Sequence, residues 1–251
     1  MKRIESKQNQ SVKQWKKLHT KKEREKLGEY IIEGEHLVEE ALKYKSSIKH
    51  MIVSESFQIP SKWNLDGVSI YITTDEIIKD LGNTETPQGV IGICIQPKHQ
   101  LDLNKVQSVL LIDAVQDPGN LGTLIRTADA AGIEGVILGE GTVDVFNSKV
   151  LRASQGSIFH LPIVRGDIGQ CLEELQNNGI TVFGTALEGA KPFSLVPPPK
   201  SFALLVGNEG KGVQKEWLSK TNQNLYIPIH GKAESLNVTV AAGILLYYLR
   251  G

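Results

Sequence analysis

Two cysteines in 251 residues cannot build a disulfide framework. Cys94 and Cys171 stand far apart in the chain, and the six histidines (His19, His36, His50, His99, His160 and His230) are scattered, so no metal-ligand spacing emerges and no metal is expected. Long apolar runs are missing as well. The most continuous, Val238 to Leu249, is interrupted by Thr239 and Gly243 and falls short of the roughly 18 residues that span a bilayer. No apolar block follows Met1-Lys2-Arg3-Ile4-Glu5, so no secretory signal is expected and the cytoplasm is the expected location. The phosphate-binding pattern G-x-x-x-x-G-K-[ST] is missing, no G-x-G-x-x-G lies between a strand and a helix, and there is no G-x-S-x-G elbow. Together these absences argue against ATPase, dehydrogenase and α/β-hydrolase chemistry.

What is present is a globular composition, 40% hydrophobic and 22% charged with zero net charge, in a chain long enough for two domains. The charge is uneven. Residues 1–30 carry ten Lys/Arg against four Glu, a local +6, which leaves −6 on the remaining 221. A basic arm on a neutral body fits a polyanionic partner, since lysines near phosphates release counterions; the alternative is a solvated helix.

Strand and helix alternate throughout. Residues 10–28 read as a polar helix, followed by a strand at 30–34, a helix at 35–44, and strands at 49–53, 68–72 and 89–95. Thr73-Thr74-Asp75 caps a helix that runs to Leu81. The stretch 96–107 loses periodicity and reads as a linker. The expected division is therefore 1–104, a basic arm with a small α/β domain, and 105–251. The second part opens with the buried-type strand 108–115, a turn at Asp117-Pro118-Gly119 and a helix over 121–131. Further strands fit 135–138, 181–186, 202–206 and 225–229, with helices near 144–154, 168–177 and 213–218. Such alternation predicts a parallel sheet covered by helices, with ligands at the carboxyl ends of its strands.

Three segments stand at expected strand ends: 117–132 (DPGNLGTLIRTADAAG), 205–212 (LVGNEGKG) and 227–242 (IPIHGKAESLNVTVAA). Taken singly, each has an ordinary structural reading. Asn120 can cap a helix and Arg126 can be a surface arginine. Gly207, Gly210 and Gly212 can build a tight turn, and Ser235 and Asn237 flank a helix start.

Taken together and in order, they resemble the SpoU/TrmH class of the SPOUT superfamily, RNA methyltransferases that use S-adenosylmethionine to methylate ribose 2′-hydroxyls. The first segment is similar to that family's Asn-x-Gly-x-x-x-Arg element through Asn120, Gly122 and Arg126. The second resembles its Gly-Asn-Glu-Gly-x-Gly loop, and the third its Ile-Pro…Ser-Leu-Asn-Val signature through Ile227, Pro228, Ser235, Leu236, Asn237 and Val238. The first domain resembles the family's ribosomal-protein-like substrate-binding module through residues 32–41 (IEGEHLVEEA) and 84–90 (TETPQGV).

The resemblance implies an α/β fold whose C-terminal parallel sheet holds a deep trefoil knot, beside a smaller N-terminal α/β RNA-binding domain. It implies that Thr185, Leu187, Gly207, Ile227 and Leu236 line a pocket for a bent S-adenosylmethionine. Arg126 is then expected at the reacting centre. A guanidinium stays protonated, with a pKa above about 12, so its expected role is to fix the phosphate and stabilise the developing alkoxide while the proton leaves through phosphate or water. Asn120 and Asn237 hold Arg126 and the ribose in line, Ser235 orients Arg126 or contacts the substrate, and Glu209 organises its loop, bonded to Asn120 or backbone donors.

RNA is the implied partner, because the 2′-hydroxyl is both the reacting atom and what separates RNA from DNA. Lys13, Lys16, Lys17, Lys21, Lys22, Arg24 and Lys26 become candidate phosphate contacts, joined by Arg152 in the family-like stretch 152–157 (RASQGS). The apolar last helix, with Val240, Ile244, Leu245 and Tyr248 at helical spacing, is core or, by resemblance, part of a homodimer interface. The separate first domain favours ribosomal over transfer RNA. A tRNA ribose methyltransferase and a noncatalytic rRNA-binding dimer are the competing readings.

Overall fold

Apolar alternation in the first hundred residues resolves into a five-stranded sheet in the computed structural model, which describes residues 1–44 and 48–251. In chain order the elements are β1 (Lys2–Ile4), α1 (Gln10–Lys17), α2 (Lys21–Leu27), β2 (Glu29–Glu33), α3 (Glu35–Lys43), β3 (Ile48–Ser54), β4 (Ser69–Thr73), α4 (Asp75–Leu81) and β5 (Val90–Ile95). The sheet order is β1-β4-β3-β5-β2, with β1, β4 and β3 parallel and β5 antiparallel to both β3 and β2. Its core packs Val12, Trp15 and Leu18 with Ile77, Ile78 and Leu81 over Ile52, Ile91 and Ile93.

The single helix expected over 10–28 is two. α1 ends at Leu18, and Thr20 starts α2 by accepting a hydrogen bond from the Glu23 amide. The joint is fixed by Arg24, which is buried and donates to the carbonyls of Leu18 (2.8 Å) and His19 (2.9 Å). The expectation that Arg24 reaches phosphate is thereby corrected, since its guanidinium satisfies carbonyls freed where α1 stops.

The remaining elements are β6 (Ser108–Ile112), α5 (Pro118–Ala130), β7 (Gly135–Leu138), α6 (Ser148–Ser154), β8 (Ile163–Arg165), α7 (Ile168–Asn177), β9 (Thr181–Thr185), β10 (Lys191–Pro192), β11 (Phe202–Val206), α8 (Lys215–Leu218), β12 (Gln223–Tyr226) and α9 (Val238–Arg250). Seven strands form a second, wholly parallel sheet in the order β10-β12-β9-β11-β6-β7-β8. Its central strands β6, β7 and β11 are buried along their whole length, which is why they read as unbroken apolar runs. Three short strands, β1, β8 and β10, carry too few residues to show alternation.

The chain divides into two compact units, 1–98 with 146–159, and 99–145 with 160–251. The segment 146–159, which contains α6, therefore packs with the first unit, an excursion outside the expected 1–104 and 105–251 division. Tyr30 and Phe146 stack at 4.5 Å between ring centroids, and Nε2 of His36 lies 3.1 Å from the Gln155 carbonyl. Among the described residues, no helix is long and apolar enough to cross a membrane.

Candidate active site

Parallel pairing aligns the carboxyl ends of β6 and β11. Ile112 stands opposite Val206, and the Asp113 amide donates to the Val206 carbonyl at 2.8 Å. The residues that leave these two strands, Asp113-Ala114 and Gly207-Asn208, are thus neighbours. The buried carboxylate of Asp113 accepts both the amide (2.9 Å) and the side-chain Nε2 (2.8 Å) of Gln214. Asn208 donates from Nδ2 to the carbonyl of Ala114 (2.9 Å) and accepts at Oδ1 the amides of Gly210 and Lys211. The 207–214 loop is therefore pinned at both ends to the end of β6. Gly207 is required by close approach, because a Cβ there would sit 2.2 Å from Gly212 C and Val213 N.

This loop aims Glu209 at the start of α5. Its carboxylate accepts the amides of Gln116 (3.2 Å) and Asp117 (3.0 Å) and the Nδ2 groups of Asn120 (3.1 Å) and Asn208 (3.4 Å). Partial burial pushes the Glu209 carboxyl up, but the Asn120 and backbone hydrogen bonds outweigh it and hold the group below the usual carboxylate range. The Glu209 carboxylate thus contacts Asn120, Asn208 and the backbone amides of Gln116 and Asp117.

Asn120 does not cap α5. Asp117 does, accepting the Asn120 amide at 2.8 Å, with Pro118 at the first helical position. The Asn120 side chain is free to bridge, giving Nδ2 to Glu209 and accepting Nδ2 of Asn237 on Oδ1 at 3.1 Å. Asn237 does two jobs. It caps α9 by accepting the Thr239 amide at 2.8 Å, and it closes the chain Glu209–Asn120–Asn237.

On the other side of β11, β9 and β12 end level with it, and Thr185 Oγ1 donates to the Leu205 carbonyl at 3.1 Å. Gly207 is buried, Thr185 and Ile227 are half-buried, and Leu187 and Leu236 are exposed. Arg126 and Ser235 are exposed and make no side-chain hydrogen bond or ion pair among the described residues. The structure thus joins Glu209, Asn120 and Asn237 by contact and leaves Arg126 and Ser235 outside that chain. Sequence reasoning missed Asp113, Asn208 and Gln214. A lone aspartate closing the apolar run 108–112 is the signal that was there to find, because a buried carboxylate needs dedicated donors.

No group of three or more His, Cys, Asp or Glu among the described residues is placed to hold a metal ion. In the basic arm, Lys13, Lys17, Lys22 and Lys26 are exposed, whereas Lys16 pairs with Asp80 at 2.6 Å and Lys21 with Glu25 at 3.6 Å. Arg152 lies in the first unit, on α6.

Residues 107–247 match the SpoU rRNA Methylase family, and residues 9–92 match the MRM3-like substrate binding domain. The chain belongs to the SpoU rRNA methylase family. A relative from Bacillus subtilis (strain 168), the 23S rRNA (guanosine(2553)-2′-O)-methyltransferase RlmP, is 53% identical over the whole of both chains. Among solved structures, an AdoMet-bound rRNA methyltransferase from Sinorhizobium meliloti is 33% identical. It has a TM-score of 0.89 over 99% of this chain and 97% of that one. The SpoU methyltransferase AviRb from Streptomyces viridochromogenes, in complex with AdoMet, is 26% identical with a TM-score of 0.86 over 97% of both chains.

Proposed function

We propose that this SpoU-family protein transfers a methyl group from S-adenosylmethionine to the ribose 2′-hydroxyl of 23S rRNA, at the guanosine named for its B. subtilis relative. The observation that carries the reading is the chain Glu209–Asn120–Asn237. It ties the 207–212 loop to the starts of α5 and α9, the two helices whose motifs bear the chemistry.

The residues present suit the cofactor. β12, β9 and β11 are adjacent and parallel, so the loops that follow them leave from one edge. Those loops offer backbone groups at Gly207 and Ile227 beside the apolar side chains of Leu187 and Leu236. Thr185 is already anchored to Leu205. We include in this reading a deep trefoil knot in the second unit, formed by those loops. When bound, S-adenosylmethionine supplies an activated methyl group and its own leaving group.

The protein then has to position and activate a hydroxyl. Arg126 is exposed and unpaired among the described residues, and its guanidinium, protonated at any working pH, cannot take the proton. In this reading it holds the phosphate beside the target ribose and stabilises the alkoxide, while the proton leaves to phosphate or water. Asn120 and Asn237 keep the ribose in line with the methyl group. Ser235 contacts the substrate or orients Arg126, and Glu209 fixes the frame.

Lys13, Lys17, Lys22 and Lys26 supply phosphate contacts, with Lys16 and Lys21 available once their carboxylate partners are exchanged. A homodimer is supported by α9, where Val240, Ile244 and Tyr247 are exposed at helical spacing while Ala242, Leu245, Leu246 and Leu249 are buried. We place the protein in the cytoplasm with its ribosomal substrate.

The test is to map 2′-O-methylated riboses in 23S rRNA from cells with and without the protein, alongside tritium transfer from labelled cofactor into total RNA. Loss of methylation at one 23S guanosine is expected. Label in tRNA alone supports the tRNA reading. Cofactor binding without transfer to any RNA supports a noncatalytic rRNA-binding dimer.

A further inference from the structure

The first unit holds a cavity of about 290 Å³, near the lower end of the ~300–1,000 Å³ typical of ligand sites. Three segments distant in sequence meet there: the 32–41 stretch with Glu33, Gly34 and His36, the 84–90 stretch with Thr84, Thr86 and Gln88, and the α6 end with Arg152 and Gln155. The first two are the segments by which the first domain resembles a substrate-binding module. The third begins at Arg152, and all three belong to the same compact unit.

The convergence is held by dedicated contacts. Gly34 has φ of 97°, and the Gln88 carbonyl oxygen Oε1 accepts the Glu35 amide at the start of α3 at 2.9 Å. The Glu33 carboxylate accepts the Asn83 amide (2.8 Å) and the Thr84 hydroxyl, so its oxygens already have donors. His36 Nε2 faces a carbonyl, that of Gln155, and so carries the proton. The ring's Nδ1 is left for a further partner.

Arg152 is different. It forms part of the cavity wall, yet its buried Nη1 has no hydrogen-bond partner, and no carboxylate pairs with it among the described residues. A guanidinium that lines the cavity without a carboxylate partner is suited to an anionic oxygen.

We infer that this cavity holds a single unpaired nucleotide of the RNA substrate, remote in sequence from the methyl-transfer motifs. Arg152 meets its phosphate, and Thr86, the Gln88 amide and His36 Nδ1 meet the edge of its base. Single-stranded bases splayed from a loop are the usual handle for sequence-specific RNA recognition. The inference rests on the rRNA reading above and adds where part of the loop is read.

The full-length protein is tested with a hairpin transcript whose designed loop carries the 23S sequence around the guanosine 2553 named for the relative, and with a series of single abasic replacements in that loop. At one position other than the methylated guanosine, an abasic replacement should weaken wild-type binding about 5- to 150-fold. The same replacement should cost nothing further in Thr86→Trp, where the exposed rim residue is enlarged to fill the cavity. Arg152→Gln should weaken hairpin binding while S-adenosylhomocysteine affinity and the melting midpoint stay unchanged. Thr86→Trp, at an exposed position, keeps the test decisive if Arg152→Gln unfolds.

If the wild type methylates the hairpin but abasic and Thr86→Trp effects simply add, the cavity inference falls and the rRNA reading stands. If the wild type neither binds nor methylates it, both fall. Saturable binding of GMP, AMP, CMP or UMP that Thr86→Trp abolishes, with hairpin affinity equal in both proteins, would assign the cavity to a free nucleotide and overturn the proposal.

Discussion

At the scale of single residues, Glu209 separates organisation from catalysis. Its folded carboxyl lies below the ordinary value of 4.5, so its contribution is present above that pH and is lost as pH falls through the lower, folded value. Cofactor affinity of the wild type, followed by calorimetry between pH 3 and 6 (roughly the carboxylate range), should therefore fall on acidification. Glu209→Gln should show a flatter profile, and Glu209→Ala should lose both S-adenosylhomocysteine binding and methyl transfer. Arg126→Ala should behave in the opposite way, with cofactor affinity kept and single-turnover methylation reduced about 10²- to 10³-fold. A modest rate loss with RNA affinity preserved would remove Arg126 from the reaction. Gly207→Ala places a methyl group 2.2 Å from backbone atoms and should abolish cofactor binding. Gly210→Ala, whose added carbon meets nothing closer than 3.8 Å, should be tolerated. The contacts among these residues were legible only in part. The motif residues Asn120, Glu209 and Asn237 could be named from sequence, but their mutual bonds could not, because the bonded pairs lie 89 and 117 positions apart.

At the scale of elements, Asn237 both caps α9 and donates to Asn120, so the proposed chemistry and the cap share one side chain. Asn237→Asp keeps an oxygen to cap the helix but removes the amide that donates to Asn120. Its melting midpoint should stay near wild type while methylation drops. Asn237→Ala should lose both, with a stability cost of about 1 kcal/mol by denaturant titration. Asp117→Ala carries a similar cost at α5, where Asp117 rather than Asn120 is the cap. Long or fully buried elements were readable, among them α7 and the strands 135–138 and 202–206, because apolar run length and periodicity dominate there. The split of 10–28 into α1 and α2 was not, since polar residues continue across the break and the deciding contact is the buried Arg24. The last strand lies at 223–226 rather than 225–229 because pairing with Phe183–Thr185 sets its limits, and no local pattern reports that.

At the scale of the whole molecule, the basic arm and the apolar face of α9 make separate predictions. Replacing Lys13, Lys17, Lys22 and Lys26 together by Gln should reduce the slope of log affinity against log salt by roughly 3, measured on single-stranded rRNA fragments. Cofactor binding should not change. Ile244→Glu on the exposed side of α9 should shift sedimentation from dimer to monomer; an unchanged dimer would place the interface elsewhere. The composition change near residue 100 lies close to the first break between the compact units, after residue 98. The excursion of 146–159 was not legible, because α6 looks like any helix of the second half until Phe146 is seen against Tyr30.

That excursion bears on how the protein is born. The first unit is discontinuous, and a ribosome that has released only residues 1–98 has not yet made the strand of chain that completes it. Since domains generally mature as units during synthesis, the amino-terminal unit cannot finish until translation has passed residue 159. A fragment cut at residue 98 should therefore be a poor surrogate for it, whereas rejoining such a fragment to a synthetic 146–159 peptide should restore protection of its amide hydrogens from exchange.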